Sequence, residues 1–218
     1  MLFKDRTEGG QKLGQKLKAY SNREDVIVIG LPRGGVPVAF EVAKTLNVSL
    51  DVFLVRKLGV PGNEEFAMGA IASGGVRILN QKVIKNQHIS REAIARTAAR
   101  EQRELERREY AYRGNRPPLN LSERTVILVD DGLATGATMN AAAIAIRQQE
   151  PKQIIAAVPV SAPEVCNEFQ VKVDKIICAE TPKPFVSVSR WYQNFPQTTD
   201  DRVRDLLQIA AEEKTTTQ

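Results

Sequence analysis

The sequence predicts an α/β domain: a mostly parallel sheet with helices on both faces. Three observations carry that expectation. Strand-like runs alternate with helix-like ones along most of the chain, the order of βαβ units rather than of hairpins. The strands are continuous apolar runs rather than alternating patterns, as expected when both sheet faces are covered. The length, 218 residues, suits one domain with additions, whose core needs no disulfide or zinc to fold.

Taken in order, Leu13, Leu17 and Tyr20 share one helical face near the start. The run Val26–Gly30 reads as a first buried strand, followed by a helix from about Gly35 to Leu46. Residues 50–57 and Val76–Leu79 read as further strands, with Met68, Gly69 and Ala70 as a return strand between them. Ser90 caps a long helix with Glu92 in its first turn, and Gly114 and Asn115 followed by two prolines end it. Its apolar positions, Ile94, Ala98, Leu105 and Tyr112, form a narrow stripe, which places most of its circumference in water. Then come a strand at 125–130, a helix at 137–149, a strand at 154–160 and a closing helix at 200–211.

Composition excludes several classes. At 42% hydrophobic and 26% charged the chain sits at the averages for globular proteins, away from disorder, collagen and coiled coil. Its apolar runs are short, such as 141–146, whereas a bilayer span needs about 20 residues. The opening MLFKDRTEGG has charges where a signal peptide carries its apolar core, so a cytoplasmic location is expected. In that reducing compartment Cys166 and Cys178 are expected as packed thiols, and a lone His88 leaves no histidine-rich metal site. Residues 91–116 hold eight Arg against five Glu, a net +3 of the chain's +5. Their i,i+3 and i,i+4 alternation suits a solvated, self-paired helix better than a nucleic-acid surface.

The informative stretch is VILVDDGLATGATM at 126–139. A buried strand ends in Asp130 and Asp131, a tight loop holds Thr135, Gly136 and Thr138, and a helix begins. In open α/β sheets ligands bind outside the carboxyl ends of strands. The helix N-terminus offers free N–H groups and the positive end of its dipole to a phosphate. Gly136 allows close approach, and threonine hydroxyls can donate. Adjacent carboxylates accept from sugar hydroxyls or hold Mg²⁺. A phosphorylated sugar fits this pattern, and neither the Walker loop nor the GxGxxG fingerprint is present.

This stretch resembles the signature of type I phosphoribosyltransferases, which bind 5-phosphoribosyl-1-pyrophosphate (PRPP). The resemblance implies a Rossmann-like fold in a single domain over 1–218, with a core over about 21–180. It adds a long helical insert at about 80–116 and a small hood from the N-terminal segment and about 181–212. It assigns the acidic pair, Asp130 and Asp131, to the ribose hydroxyls and to Mg²⁺ shared with PRPP, and the loop Ala134, Thr135, Gly136, Ala137 and Thr138 to the 5′-phosphate. The run LPRGGV at 31–36 resembles the family's pyrophosphate loop, here Arg33, Gly34 and Gly35, where a non-proline cis peptide often follows the residue matching Arg33. The run VRKLGVPGNEEF at 55–66 is similar to the mobile-loop entrance of adenine phosphoribosyltransferases, which gives Arg56 and Lys57 to the pyrophosphate. Glu64 and Glu65 are then candidates for an acid that manages the acceptor's proton.

Near the C-terminal end, Phe185 and Val186 resemble a purine-stacking pair, with Trp191 and Tyr192 as further stacking candidates. Ser187 and Ser189 depart from the hypoxanthine–guanine pattern. Ala134 stands where 6-oxopurine enzymes carry an Asp that handles the N7 proton, which leans towards the adenine-like branch. Taken whole, the resemblance implies a cytoplasmic, homodimeric, Mg²⁺-dependent nucleotide-salvage transferase moving the phosphoribosyl group to a purine-like base. A PRPP-binding regulator without turnover is the alternative, and a PRPP hydrolase or phosphorylase-like enzyme a third.

Overall fold

The computed structural model describes residues 2–169 and 172–215, excepting the side chains of Glu65 and Thr215. In chain order the elements are α1 (Arg6–Lys16), β1 (Val26–Gly30), α2 (Gly35–Leu46), β2 (Ser49–Val52), β3 (Val55–Val60), β4 (Asn63–Ala72) and β5 (Val76–Leu79). They continue with α3 (Gln81–Asn86), α4 (Arg91–Arg113), β6 (Thr125–Val129), α5 (Ala137–Arg147), β7 (Gln153–Val160), α6 (Pro163–Phe169), β8 (Lys175–Glu180) and α7 (Asp200–Thr215).

The central sheet has five parallel strands in the order β2-β1-β6-β7-β8, and the fold is of the α/β class. Every residue of β1 and β6 is buried, because alternate residues serve two cores. Val26, Val28, Ile127 and Val129 face one core, with Leu13 and Leu17 of α1, Val38 and Val42 of α2 and Val203 and Leu206 of α7. Ile27, Ile29, Val126 and Leu128 face the other, with Met139 and Ile146 of α5 and Phe169 of α6. Double coverage is why these strands are apolar throughout.

A second sheet, in the order β3-β4-β5, is antiparallel. It corrects the expectation of one strand over 50–57. The chain leaves the parallel sheet at Val52 and starts β3 at Val55. Between them Leu54 O accepts from Ser73 N at 2.9 Å, and the Ser73 hydroxyl accepts from Leu54 N at 3.0 Å. The apolar stripe of α4 joins the first core, together with Leu58 of β3 and Met68 and Ile71 of β4. Ser90 Oγ accepts from Ala93 N at 3.1 Å, the cap read from the sequence.

Cys166 of α6 and Cys178 of β8 are joined in a disulfide, with Cα atoms 6.6 Å apart, not packed as free thiols. The reason is positional: α6 folds back on β8, bringing the Cα atoms within bridging range. Among the described residues no helix is long and apolar enough to cross a membrane.

Candidate functional site

The loops after β1 and β6 meet at the carboxyl edge of the parallel sheet, where such folds bind ligands. β6 delivers Asp130 and Asp131. Asp130 Oδ1 accepts from Asp131 N at 2.8 Å, which turns the first carboxylate back on its own loop. Beyond the pair, Leu133 is buried and pinned: its N–H donates to Val160 O at 2.9 Å. Gly136, at φ 69°, lies just ahead of α5, and a Cβ there would lie 2.7 Å from Leu133 Cδ2 and 2.8 Å from Phe169 Cε2. Ala134, Thr135, Ala137 and Thr138 are exposed at the start of α5, where Ala137 N–H donates to Thr135 Oγ1 at 3.4 Å.

The loop holding Arg33 and Gly34 abuts the acidic pair. A Cβ on Gly34 would run into Asp131 Oδ2, so glycine is required by close approach. Gly35 opens α2, its N–H bonded to Leu31 O at 3.0 Å. The non-proline cis peptide joins Pro32 to Arg33, one bond earlier than expected from the resemblance. Arg33 is half-buried, its Nη1 3.7 Å from Asp200 Oδ1 at the start of α7. Asp200 also accepts from the Tyr112 hydroxyl at 2.6 Å, which ties α4 to α7 beside this loop.

Sequence reasoning missed Arg6. Its Nε and Nη2 both reach Asp131 Oδ2 at 2.9 Å, and its Nη1 donates to Pro196 O at 2.7 Å. Its guanidinium lies over the Phe195 ring, 3.7 Å from the centroid, a cation–π contact. Arg6, Arg33, Gly34, Asp131, Phe195, Gln197 and Thr198 line a cavity of about 350 Å³. The one sequence signal was positional: Arg6 lies seven residues before Leu13, on the buried face of α1.

Burial raises the Asp130 carboxyl well above the ordinary carboxylate range, and the Asp131 charge adds to it. Burial also raises Asp131, against the pull of Arg6. Asp130 Oδ2 and Asp131 Oδ1 have no protein donor among the described residues. Burial thus keeps a desolvation cost on both carboxyls, which hydroxyl donors or a cation at the cavity lined by Asp131 would relieve.

The structure does not bring Arg56 and Lys57 together on one ligand. They are neighbours on β3, and the pleat sends them to opposite faces. Arg56 Nε donates to Glu101 Oε2 of α4 at 2.7 Å, and Arg100 Nε holds the other Glu101 oxygen at 3.0 Å. Lys57 faces α5, where with Thr138, Asn140 and Ile144 it lines a cavity of about 360 Å³ beside the loop at 134–138. Glu64 is exposed and pairs with Arg100 at 3.2 Å. Glu65 lies in β4, and its side chain is outside the described residues.

Of the stacking candidates, Phe185 stacks on Trp191 with centroids 6.4 Å apart, and Val186 is 71% exposed. Tyr192 is corrected to a different part. It is buried, its ring packs against Phe3 and Phe195 at 5.4 and 5.0 Å, and its hydroxyl donates to Asp131 O at 2.6 Å. Its apolar body needs cover and its polar tip a partner, and both are met within the fold, where it props the acidic loop.

This arrangement has a counterpart among known proteins. The model of the phosphoribosyl transferase domain matches residues 7–189. The chain belongs to this family. Two Mycobacterium tuberculosis proteins, provisionally named phosphoribosyl transferases, are 44% identical over 209 residues, covering 96% of this chain and 47% of theirs. The chain thus spans about half the length of these relatives. A Thermus thermophilus protein solved by crystallography superposes with a TM-score of 0.82 at 40% identity, covering 95% of this chain and 98% of its own.

Proposed function

We propose that this phosphoribosyltransferase domain transfers the 5-phosphoribosyl group from PRPP to a nitrogen of a base, a purine-like acceptor being favoured, and releases pyrophosphate. The observation that carries the reading is the convergence of three elements at one sheet edge: the acidic pair, the phosphate loop ahead of α5, and the Arg33–Gly34 loop against Asp131. Each suits one part of PRPP. The N–H groups and hydroxyls at 134–138 suit the 5′-phosphate. Asp130 Oδ2 and Asp131 Oδ1 suit the two ribose hydroxyls, and Arg33 suits the pyrophosphate.

In the reaction the bond from C1 to the pyrophosphate oxygen breaks, a bond from C1 to the acceptor nitrogen forms with inversion, and the proton of that nitrogen passes to the leaving pyrophosphate or to water. Negative charge gathers on the leaving group, and Arg33 is placed to stabilise it. Positive charge grows at C1, and the acidic pair holds the ribose beneath it. Asp130 and Asp131 would hold Mg²⁺ together with the substrate, since carboxylate oxygens are the donors such a hard cation takes. When bound, the ion neutralises charge on the leaving pyrophosphate. Lys57, beside the phosphate loop, adds charge from the opposite side.

The test is pyrophosphate release from PRPP and Mg²⁺ with a panel of purines, pyrimidines and small heterocycles, beside a control without base. Base-dependent release is expected. Binding of PRPP without release under any condition overturns transfer in favour of a regulator, and release without base overturns it in favour of a hydrolase.

A further inference from the structure

We propose that Arg6 is the positioning residue of the acidic pair: it pins Asp131 Oδ2 so that Oδ1 stays presented to the hydroxyl of a bound ribose. The inference rests on the phosphoribosyl reading and adds a residue from another part of the chain. Arg6 and Asp131 are 125 positions apart, yet two nitrogens of one guanidinium share a single carboxylate oxygen at 2.9 Å. The guanidinium is itself held, by Pro196 O at 2.7 Å and by the Phe195 ring beneath it. Arg6 is 9% exposed, so its orientation is set by packing and not by solvent.

The geometry is one-sided. A pair serving stability alone gains most by using both carboxylate oxygens in a bidentate fork. Here the fork closes on Oδ2 only, the oxygen that also sits against Gly34, and the residues that pin Arg6 belong to the segment lining the same cavity. Asp131 is therefore fixed from below by Tyr192 on its carbonyl and from the side by Arg6 on its carboxylate. A lysine cannot reproduce this, since an ammonium is a point charge without a planar fork.

The experiment compares wild type, Arg6→Lys and Arg6→Ala for ribose 5-phosphate affinity, PRPP turnover and melting temperature. Partners that orient a binding group cost about 10–100-fold when removed, and that loss of ribose 5-phosphate affinity is expected for Arg6→Ala. Arg6→Lys, which keeps the charge, should lose about tenfold with its melting temperature unchanged. Millimolar guanidinium should restore part of the Arg6→Ala loss. Unchanged affinity and turnover in Arg6→Lys overturn the proposal even if Arg6→Ala fails to fold. Should wild type bind ribose 5-phosphate without transferring PRPP, the transferase reading fails while the affinity series still decides the role of Arg6. Should wild type bind neither compound, both fall.

Discussion

At the edge of the parallel sheet, Arg6 takes one oxygen of Asp131 and leaves the other without a bond from it, beside a cavity that Asp131 lines. On the small antiparallel sheet, Arg56 and Arg100 take both oxygens of Glu101. The chemistry of the two clusters is the same and their burial is similar, with Asp131 16% and Glu101 11% exposed at the side chain. What differs is the number of acceptors left over. A carboxylate whose oxygens are all spoken for fastens one element to another. One with an oxygen in reserve can still bind, and it keeps a desolvation cost that a ligand can relieve. Arg56, which the family resemblance directs to pyrophosphate, pairs here with Glu101 and ties α4 to β3, whereas Arg6 lies against Asp131.

The sharpest way to break that contrast is Asp131→Asn. Loss of one preorganised electrostatic contact to a reacting group costs about 100- to 1,000-fold in turnover. The drop should appear in kcat/KM for PRPP with a modest change in melting temperature. Equal losses in activity and stability would erase the distinction between the two clusters. Glu101→Leu should do the reverse. It strands Arg56, whose side chain is 25% exposed, so about 3 kcal/mol of stability is expected to go, the lower end for breaking a buried pair. Urea titration measures it, and kcat at saturating substrate should stay within a few-fold of wild type.

Tyr192→Phe is a smaller perturbation, removing one hydrogen bond to the Asp131 carbonyl worth about 1 kcal/mol. A several-fold fall in turnover beside that small loss in a thermal melt would mark the prop as belonging to the site. Smallest at neutral pH is Tyr112→Phe. Burial, with Asp200 adding to it, pushes the Tyr112 phenol up to about 12 from 10. A raised phenol contributes stability that is intact below about pH 10 and lost as pH rises through about 12. Wild type should therefore lose melting temperature more steeply than Tyr112→Phe over that window, and parallel curves would dismiss the link.

The elements whose instructions are local were legible in the sequence. Asp130 to Thr138 could be read because strand, acidic pair, glycine turn and helix start are contiguous. The Ser90 cap and the buried strands followed for the same reason. Partners set by distant approach were not legible: Arg6 with Asp131, Arg56 with Glu101, and Asp51 with Arg113 at 3.0 Å. A trace of them was present. Glu101 falls between Ala98 and Leu105 on the buried stripe of α4, and Arg6 continues the buried face of α1, so both are charges where an apolar residue is due. A charge on an apolar stripe announces a buried partner without naming it. The pleat that divides Arg56 from Lys57 was available too, since adjacent strand residues point apart. The loop resemblance, which treats the two as one basic pair, concealed it. The pairing of Cys166 with Cys178 depended on α6 folding back over β8, which spacing alone does not state.

The bond from Arg6 to Pro196 spans 190 positions, and the main chain at Leu2 and Phe3 is likewise bonded to Trp191. On the ribosome these halves emerge far apart in time. At about 5–20 residues per second the interval is roughly 10–40 s. Through that interval the parallel sheet can assemble while Arg6 still waits for the segment that anchors it. A nascent chain of this protein thus holds the loop at 134–138 before the segment at 192–196 can fix Arg6 and the Asp131 carbonyl.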